Sequence, residues 1–242
     1  MRTLPLIFSL LLALSSAHAA PAPTLQSVLD KHAQAMGPTE KVQSRRVRMR
    51  LIGLAPFELP VVAEAARPNQ IRKDVTIQGS VQSTAFDGKQ SWKTDPFVAG
   101  GMKPAPLPPL EAKALMEEAD FDGVLVNSAA KGVKLVYAGQ AVVDGKPAHA
   151  LNLTLPDGST ASIWLDAASY LEVKRTQPGL VMGAIKPIDI FSSDYRLVDG
   201  VRIAHRLDIG LSGSKDRMAV LVDGVELNAR IDPARFAKPQ TK

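Results

Sequence analysis

Four carboxylates crowd one short stretch of the chain: Glu117, Glu118, Asp120 and Asp122. Such a run could hold a calcium ion, but a calcium loop needs further oxygen ligands at alternating positions and a closing glutamate, both absent here. A solvated helix end followed by a turn accounts for the cluster better. Histidine chemistry is equally sparse, because His32, His149 and His205 stand far apart and none has a second histidine at metal-ligand spacing. The 242 residues contain no cysteine, which excludes disulfides, thiolate metal sites, cysteine nucleophiles and a lipid-modified N-terminal cysteine. No G-x-S-x-G elbow, phosphate-binding loop, H-E-x-x-H or dinucleotide fingerprint occurs. Glycoside-cleaving carboxylate pairs are defined by spatial separation, and nothing in the sequence points to one. The chain reads as non-enzymatic, with no catalytic residue, metal or cofactor.

One charged pattern remains. Arg45, Arg46, Arg48 and Arg50 form the densest basic stretch, and the last three alternate with Val47, Met49 and Leu51. A strand places those arginines on one face and the apolar residues on the other. The basic face is either a solvated outer surface or a patch for acidic lipid headgroups or an acidic partner. No aromatics interleave the arginines, which argues against nucleic acid. The formal net charge of +5 is otherwise spread along the chain.

Periodicity defines the elements on which these residues sit. An apolar content of 45% excludes a wholly disordered chain. Arg2, an apolar run over 4–14 and Ala17-His18-Ala19 match an export signal. The run, about 11 residues, is too short to cross a bilayer. Cleavage after Ala19 leaves residues 20–242 as a single exported domain, periplasmic in a two-membrane bacterium. Leu25, Val28, Leu29, Ala33 and Met36 then fall at helical spacing, with Thr24 as N-cap and Gly37 just past the end. Strand-like runs cover 42–54, 57–65, 70–77, 81–86 and 89–93, and then 133–137, 148–155, 159–166, 170–176, 185–196, 201–211 and 217–228. Six Asp-Gly pairs, beginning at residues 87, 122, 144, 157, 199 and 223, punctuate them, and at least four lie between strand candidates. This describes one large, curved antiparallel sheet of about eleven strands. Gly100-Gly101 and a proline-rich stretch over 104–109 interrupt it and lead into a short helix over 110–119. That helix would cover the concave face, either as fixed core or as a movable lid.

Two motifs carry a resemblance. Arg67-Pro68-Asn69 precedes a strand, and about twenty residues later comes Phe86-Asp87-Gly88-Lys89-Gln90-Ser91-Trp92-Lys93-Thr94-Asp95-Pro96-Phe97. This order resembles the periplasmic outer-membrane lipoprotein carriers of the LolA/LolB-like superfamily, with their R-P-N stretch, D-G-K hairpin, tryptophan and N-P-F. The closing Ile231-Asp232-Pro233-Ala234-Arg235-Phe236-Ala237-Lys238-Pro239 is similar to that family's last segment. The stretch over 117–125, Val143-Asp144-Gly145-Lys146 and Ser193-Asp194-Tyr195-Arg196 look more like the broader outer-membrane lipoprotein-sorting-like group. The sequence departs from the dedicated carriers in having Gln70-Ile71-Arg72 after the R-P-N stretch, where they carry an aromatic.

The resemblance implies a mainly β fold with short helices: an incomplete, half-open antiparallel β-barrel covered by helices, with an apolar cavity for acyl chains. It implies that Arg67 hydrogen-bonds the helical lid and couples opening to cargo transfer. The expected cavity wall is Val47, Met49, Leu51, Val75, Ile77, Trp92 and Phe97. Expected partners are a lipid or acylated lipoprotein and an inner- or outer-membrane envelope protein, met by a monomer. The alternative is a protein-binding or envelope-sensor module that uses the same fold without lipid cargo.

Overall fold

Alternation along the strands and glycine-bearing turns between them build the whole architecture. The computed structural model describes residues 22–240, so the expected export signal lies outside the described residues. Helix α1 spans Leu25–Met36. Its start matches the sequence expectation: Thr24 accepts from the Ser27 amide, and the Ser27 side chain accepts from the Thr24 amide in return, which satisfies two otherwise orphaned donors. Gly37 ends it at a φ of 86°, where an added Cβ would stand 2.2 Å from the Gly200 carbonyl oxygen. Only glycine fits that approach.

Five strands follow: β1 Ser44–Ile52, β2 Leu59–Ala66, β3 Gln70–Ile77, β4 Ser80–Phe86 and β5 Ser91–Thr94. Helix α2, Pro109–Glu118, comes next. The remaining strands are β6 Lys134–Val143, β7 Lys146–Thr154, β8 Thr160–Asp166, β9 Glu172–Val181, β10 Ala184–Val198, β11 Val201–Leu211 and β12 Met218–Leu227. Among the described residues the sheet has twelve strands where about eleven were expected. Every pairing is antiparallel, and the order is β5-β4-β3-β2-β1-β12-β11-β10-β9-β8-β7-β6. The first five strands meander to one edge. The chain then crosses to the other edge and meanders back until β12 pairs with β1.

Four hairpins turn on two residues with φ near +50° and then near +80°: Gln78-Gly79, Asp144-Gly145, Met182-Gly183 and Asp199-Gly200. That is the turn whose twist matches the strands it joins. Asp223-Gly224 makes no turn. It sits inside β12 opposite Arg48, where the register slips and Asp223 bulges out. A Cβ on Gly224 would lie 2.7 Å from the Arg48 guanidinium, so the glycine makes room for that side chain.

The sheet is strongly curved, as the reach of α2 requires. Its ten residues touch β4 and β5 on one side and β9 on the other. A helix of that length is about 15 Å long. Laid flat, β5 and β9 would stand about 38 Å apart at roughly 4.8 Å per strand. The two ends of the sheet therefore curl toward each other beneath the helix. No helix among the described residues is long and apolar enough to cross a membrane.

Candidate functional site

Register sorts the side chains into two faces. Val47, Met49 and Leu51 of β1 stand opposite Ala63, Val61 and Leu59 of β2, and Val61 stands opposite Val75 of β3. On the other flank they stand opposite Val225, Val222 and Val220 of β12, and Val220 meets Leu207 of β11. This apolar face is the one the helices cover. Under α1, Val28 packs with Val133, Leu151, Leu153, Ile163 and Leu165. Under α2, Leu115 and Ala119 pack with Ile71, Phe86 and Leu107. A third small cluster, Val42, Ala65, Phe121 and Val201, closes one end. Between these three cores, Val47, Met49, Leu51, Val75 and Ile77 remain only partly buried and belong to none of them, as do Val222, Leu207, Ile209 and Ile190.

Two of the seven expected wall residues lie elsewhere. Trp92 stands opposite Ala85 of β4, which stands opposite Arg72 of β3, so it shares the outer face with the arginines. There it is 1% exposed and donates through Nε1 to the Phe236 carbonyl oxygen at 2.8 Å. Phe97 is out of the sheet altogether, exposed in the turn after β5. The physical reason in each case is connection geometry: the four-residue loop 87–90 sets the parity of β5, and β5 stops at Thr94.

Two of the three stripe arginines are neutralised on that outer face. Arg46 donates to the buried Glu64 at 2.8 Å and to Glu226 at 2.9 Å. Arg50 reaches Asp223 at 2.9 Å and Glu58 at 2.7 Å. Among the described residues, Arg48 alone of the three has no ion-pair partner. The C-terminal segment is fastened alongside. Arg235 pairs with Glu64 and, at 3.0 Å, with Asp74, while Arg72 donates to Asp74 and to the Arg235 carbonyl oxygen. Burial opposes ionisation of Asp74, but Arg72, Ser83 and Arg235 outweigh it and hold its carboxyl below the usual range.

The acidic cluster is likewise dispersed onto separate cations. Glu117 pairs with Lys113, Glu118 with Lys73, Asp120 with Lys131 and Asp122 with Arg67. Arg67 grips Asp122 through both guanidinium ends at 2.5 Å, donates to the Val42 and Thr39 carbonyl oxygens, and lies 4.8 Å over the Phe121 ring. Its contact is thus with the segment just beyond α2, not with the helix. Hydrogen bonding from Arg67 keeps the Asp122 carboxyl below its ordinary range. Helix α2 itself is tied to both walls, by Lys73–Glu118 and Lys93–Glu111 on one side and by Lys113–Asp157, 3.0 Å, on the other. Among the described residues no three of His, Asp and Glu converge on a metal position.

No protein-family model matches this sequence, and no curated protein matches it. Solved structures do match the fold. An outer membrane lipoprotein-sorting protein domain from Vibrio parahaemolyticus aligns over 87% of this chain and 95% of its own, with a TM-score of 0.61 at 11% identity. A LolA superfamily protein from Nitrosomonas europaea aligns over 90% and 99%, with a TM-score of 0.60 at 16% identity. A DUF1329 family protein from Desulfovibrio piger aligns over 88% and 97%, with a TM-score of 0.60 at 10% identity.

Proposed function

We propose that this chain, whose fold is LolA-like, is a non-enzymatic periplasmic carrier that holds an acyl chain or the lipid moiety of a lipoprotein against its concave face. One observation carries the reading. A continuous apolar band, Val47, Met49 and Leu51 with Val75, Val222 and Leu207, is left partly open between the cores instead of being packed by the protein's own helices. A soluble chain gains nothing by leaving such a band uncovered, whereas an acyl chain laid on it would be withdrawn from water. At about 0.8 kcal/mol per buried methylene, a chain of roughly 14 carbons would contribute on the order of 10 kcal/mol before ordering costs. Release would follow from displacement of α2, whose ties to the two walls are partly exposed ion pairs. Outer-membrane lipoprotein sorting is the role this chemistry suits, and the domain over 20–242 would act as a monomer.

The test is native mass spectrometry of the mature protein purified from its own periplasm, followed by lipid extraction. A stoichiometric acylated adduct supports the carrier. A clean apo mass with no uptake of offered phospholipid or lipopeptide overturns it and favours an envelope protein-binding module on the same fold.

A further inference from the structure

Exposed apolar side chains gather at the loop tips of one end of the sheet, and register fixes which end. Ile52, the last residue of β1, stands opposite Ala219 near the start of β12, Met218 opposite Ile209, and Leu211 opposite Ile188. The β1–β2 loop therefore lies at the same end as the β9–β10 hairpin. On the other flank Leu51 stands opposite Leu59, Val61 opposite Val75, Val75 opposite Gln82 and Ser83 opposite Thr94, which brings the loop after β5 to that end as well. Leu54 and Phe57 in the β1–β2 loop, Phe97 and Met102 after β5, and Met182 and Ile185 in the hairpin are all exposed, Met182 at 98%. The hairpin projects. β8 pairs with β9 no further than Thr176 and β11 with β10 no further than Ile188, so the tip runs on for four residues past Gln177, about 13 Å. Pro178 and Pro187 face each other where it leaves the sheet, and neither has an N–H to leave unpaired. The turns at the opposite end are polar, at Asp87-Gly88, Asp144-Gly145 and Asp199-Gly200, and the exposed Val142 and Leu197 there lie back on their strands.

We infer that this rim docks the protein on an anionic membrane surface, its apolar tips seated among the headgroups and its lysines against the lipid phosphates. Lys103, Lys186 and Lys215 stand exposed on or beside these loops, and none has an ion-pair partner among the described residues. Of the acids nearby, Glu58 is held by Arg50, Asp95 accepts from the Phe97 amide, and Asp216 lies between Lys215 and Arg217 in the chain. The excess is positive, which attracts an anionic surface. A second copy set rim to rim about a twofold axis would instead bring lysine against lysine. The free tip is long enough for the about 5–10 Å that an interfacial element occupies. At that depth Met182 and Ile185 leave water while the hairpin keeps its backbone bonds internal. Docking by this end needs no cargo and so goes beyond the carrier reading. It also turns the end of the open apolar band, at Leu51 and Ile77, toward the bilayer.

The experiment is co-sedimentation of the whole mature protein with vesicles of phosphatidylcholine carrying about 30% phosphatidylglycerol, and with vesicles of phosphatidylcholine alone. Partitioning is expected on the anionic vesicles and should be about tenfold weaker on the neutral ones. Met182→Ser with Ile185→Ser should weaken it about tenfold on the anionic vesicles. Lys186→Gln with Lys215→Gln should weaken it by about as much there and leave the neutral vesicles unaffected. All four side chains are exposed, so these variants fold. The chain has no cysteine, so Met182→Cys and Val142→Cys each give a single site for an environment-sensitive fluorophore. The Met182→Cys label should shift to the blue on anionic vesicles and the Val142→Cys label should not. Equal shifts at both sites, no sedimentation with anionic vesicles, or unchanged partitioning in the Met182→Ser, Ile185→Ser variant would each overturn the docking. A concentration-dependent dimer abolished by that variant would overturn it too, by assigning the rim to a second copy. Uptake of a fluorescent acyl ligand from solution is measured alongside. Lost uptake with intact vesicle binding removes the carrier and leaves the docking; intact uptake with no vesicle binding removes the docking alone.

Discussion

The indole Nε1 of Trp92 donates to the Phe236 carbonyl oxygen at 2.8 Å across a sequence separation of 144 residues. Both side chains are 1% exposed. The C-terminal segment is therefore a structural strap over the outer face of β2 to β5, with Arg235 pinned to Glu64 and Asp74 beside it.

Phe236→Ala should cost about 3–5 kcal/mol, the usual loss for a buried aromatic. Urea denaturation measures it. In a Trp164→Phe background, where Trp92 is the sole reporter, its emission should move to the red in the folded baseline. An unmoved emission maximum would show that the strap does not cover the indole.

Acid should unfold the protein through Asp74 and Asp122. Each carboxyl is held below its ordinary value, Asp74 by Arg72, Ser83 and Arg235 against the pull of burial, Asp122 by Arg67. A depressed folded pKa contributes stability that is complete above the unfolded value of about 3.9 and is lost as pH falls through the folded one. The urea midpoint should hold down to about pH 5 and drop between there and pH 2. Asp74→Asn and Asp122→Asn should each be less stable at pH 6 and show a shallower acid slope; parallel slopes would remove these two groups from the account.

Arg67 and Asp122 should couple by about 1–3 kcal/mol in a double-mutant cycle, because the pair is bidentate and partly buried. Arg67→Lys should recover little, since a point charge cannot span both oxygens while also reaching the Val42 and Thr39 carbonyls. A coupling near zero would mean that Arg67 acts through its bonds to the Val42 and Thr39 carbonyls and its stacking on Phe121, not through Asp122.

Leu51→Glu and Val75→Glu should abolish most lipid uptake while leaving a folded protein, since both positions are already partly open. Trp92→Phe should do the reverse, lowering stability by about 1–3 kcal/mol with uptake unchanged. Fluorescent fatty-acyl displacement, with circular dichroism as the folding control, separates the two outcomes. Equal uptake in all three variants would count against the wall.

Amides of α2 should exchange faster than those of β1 and β11 if the helix opens. Lys113→Ala, which removes the tie to Asp157, should quicken that exchange while changing global stability by less than about 1 kcal/mol, because the pair is exposed. Equal protection of helix and strands would make α2 a fixed part of the core.

Local chemistry was legible in the chain. The bounds of α1 follow from its apolar spacing, the Thr24 cap and Gly37. The bounds of β3 and β11 follow from their alternation, and most turns from a glycine after a residue that tolerates positive φ. Two such turns, Gln78-Gly79 and Met182-Gly183, carry the same geometry without the Asp-Gly signature, so only the glycine could have flagged them.

Each element and the two faces within it are written in the chain: Arg46, Arg48 and Arg50 against Val47, Met49 and Leu51 is a statement about one strand. How those faces match between strands depends on the assembled sheet. Period-two patterning gives no common reference across a loop, and the four residues over 87–90 were enough to put Trp92 with the arginines instead of with Val75. Partners for the charges were equally out of reach. Glu64 meets Arg235 and Arg67 meets Asp122 because the chain crosses to the far edge after β5 and its end returns over the near one. The pairing of β1 with β12 is a long-range closure, and the curvature that brings α2 onto β9 follows from the completed sheet as a whole.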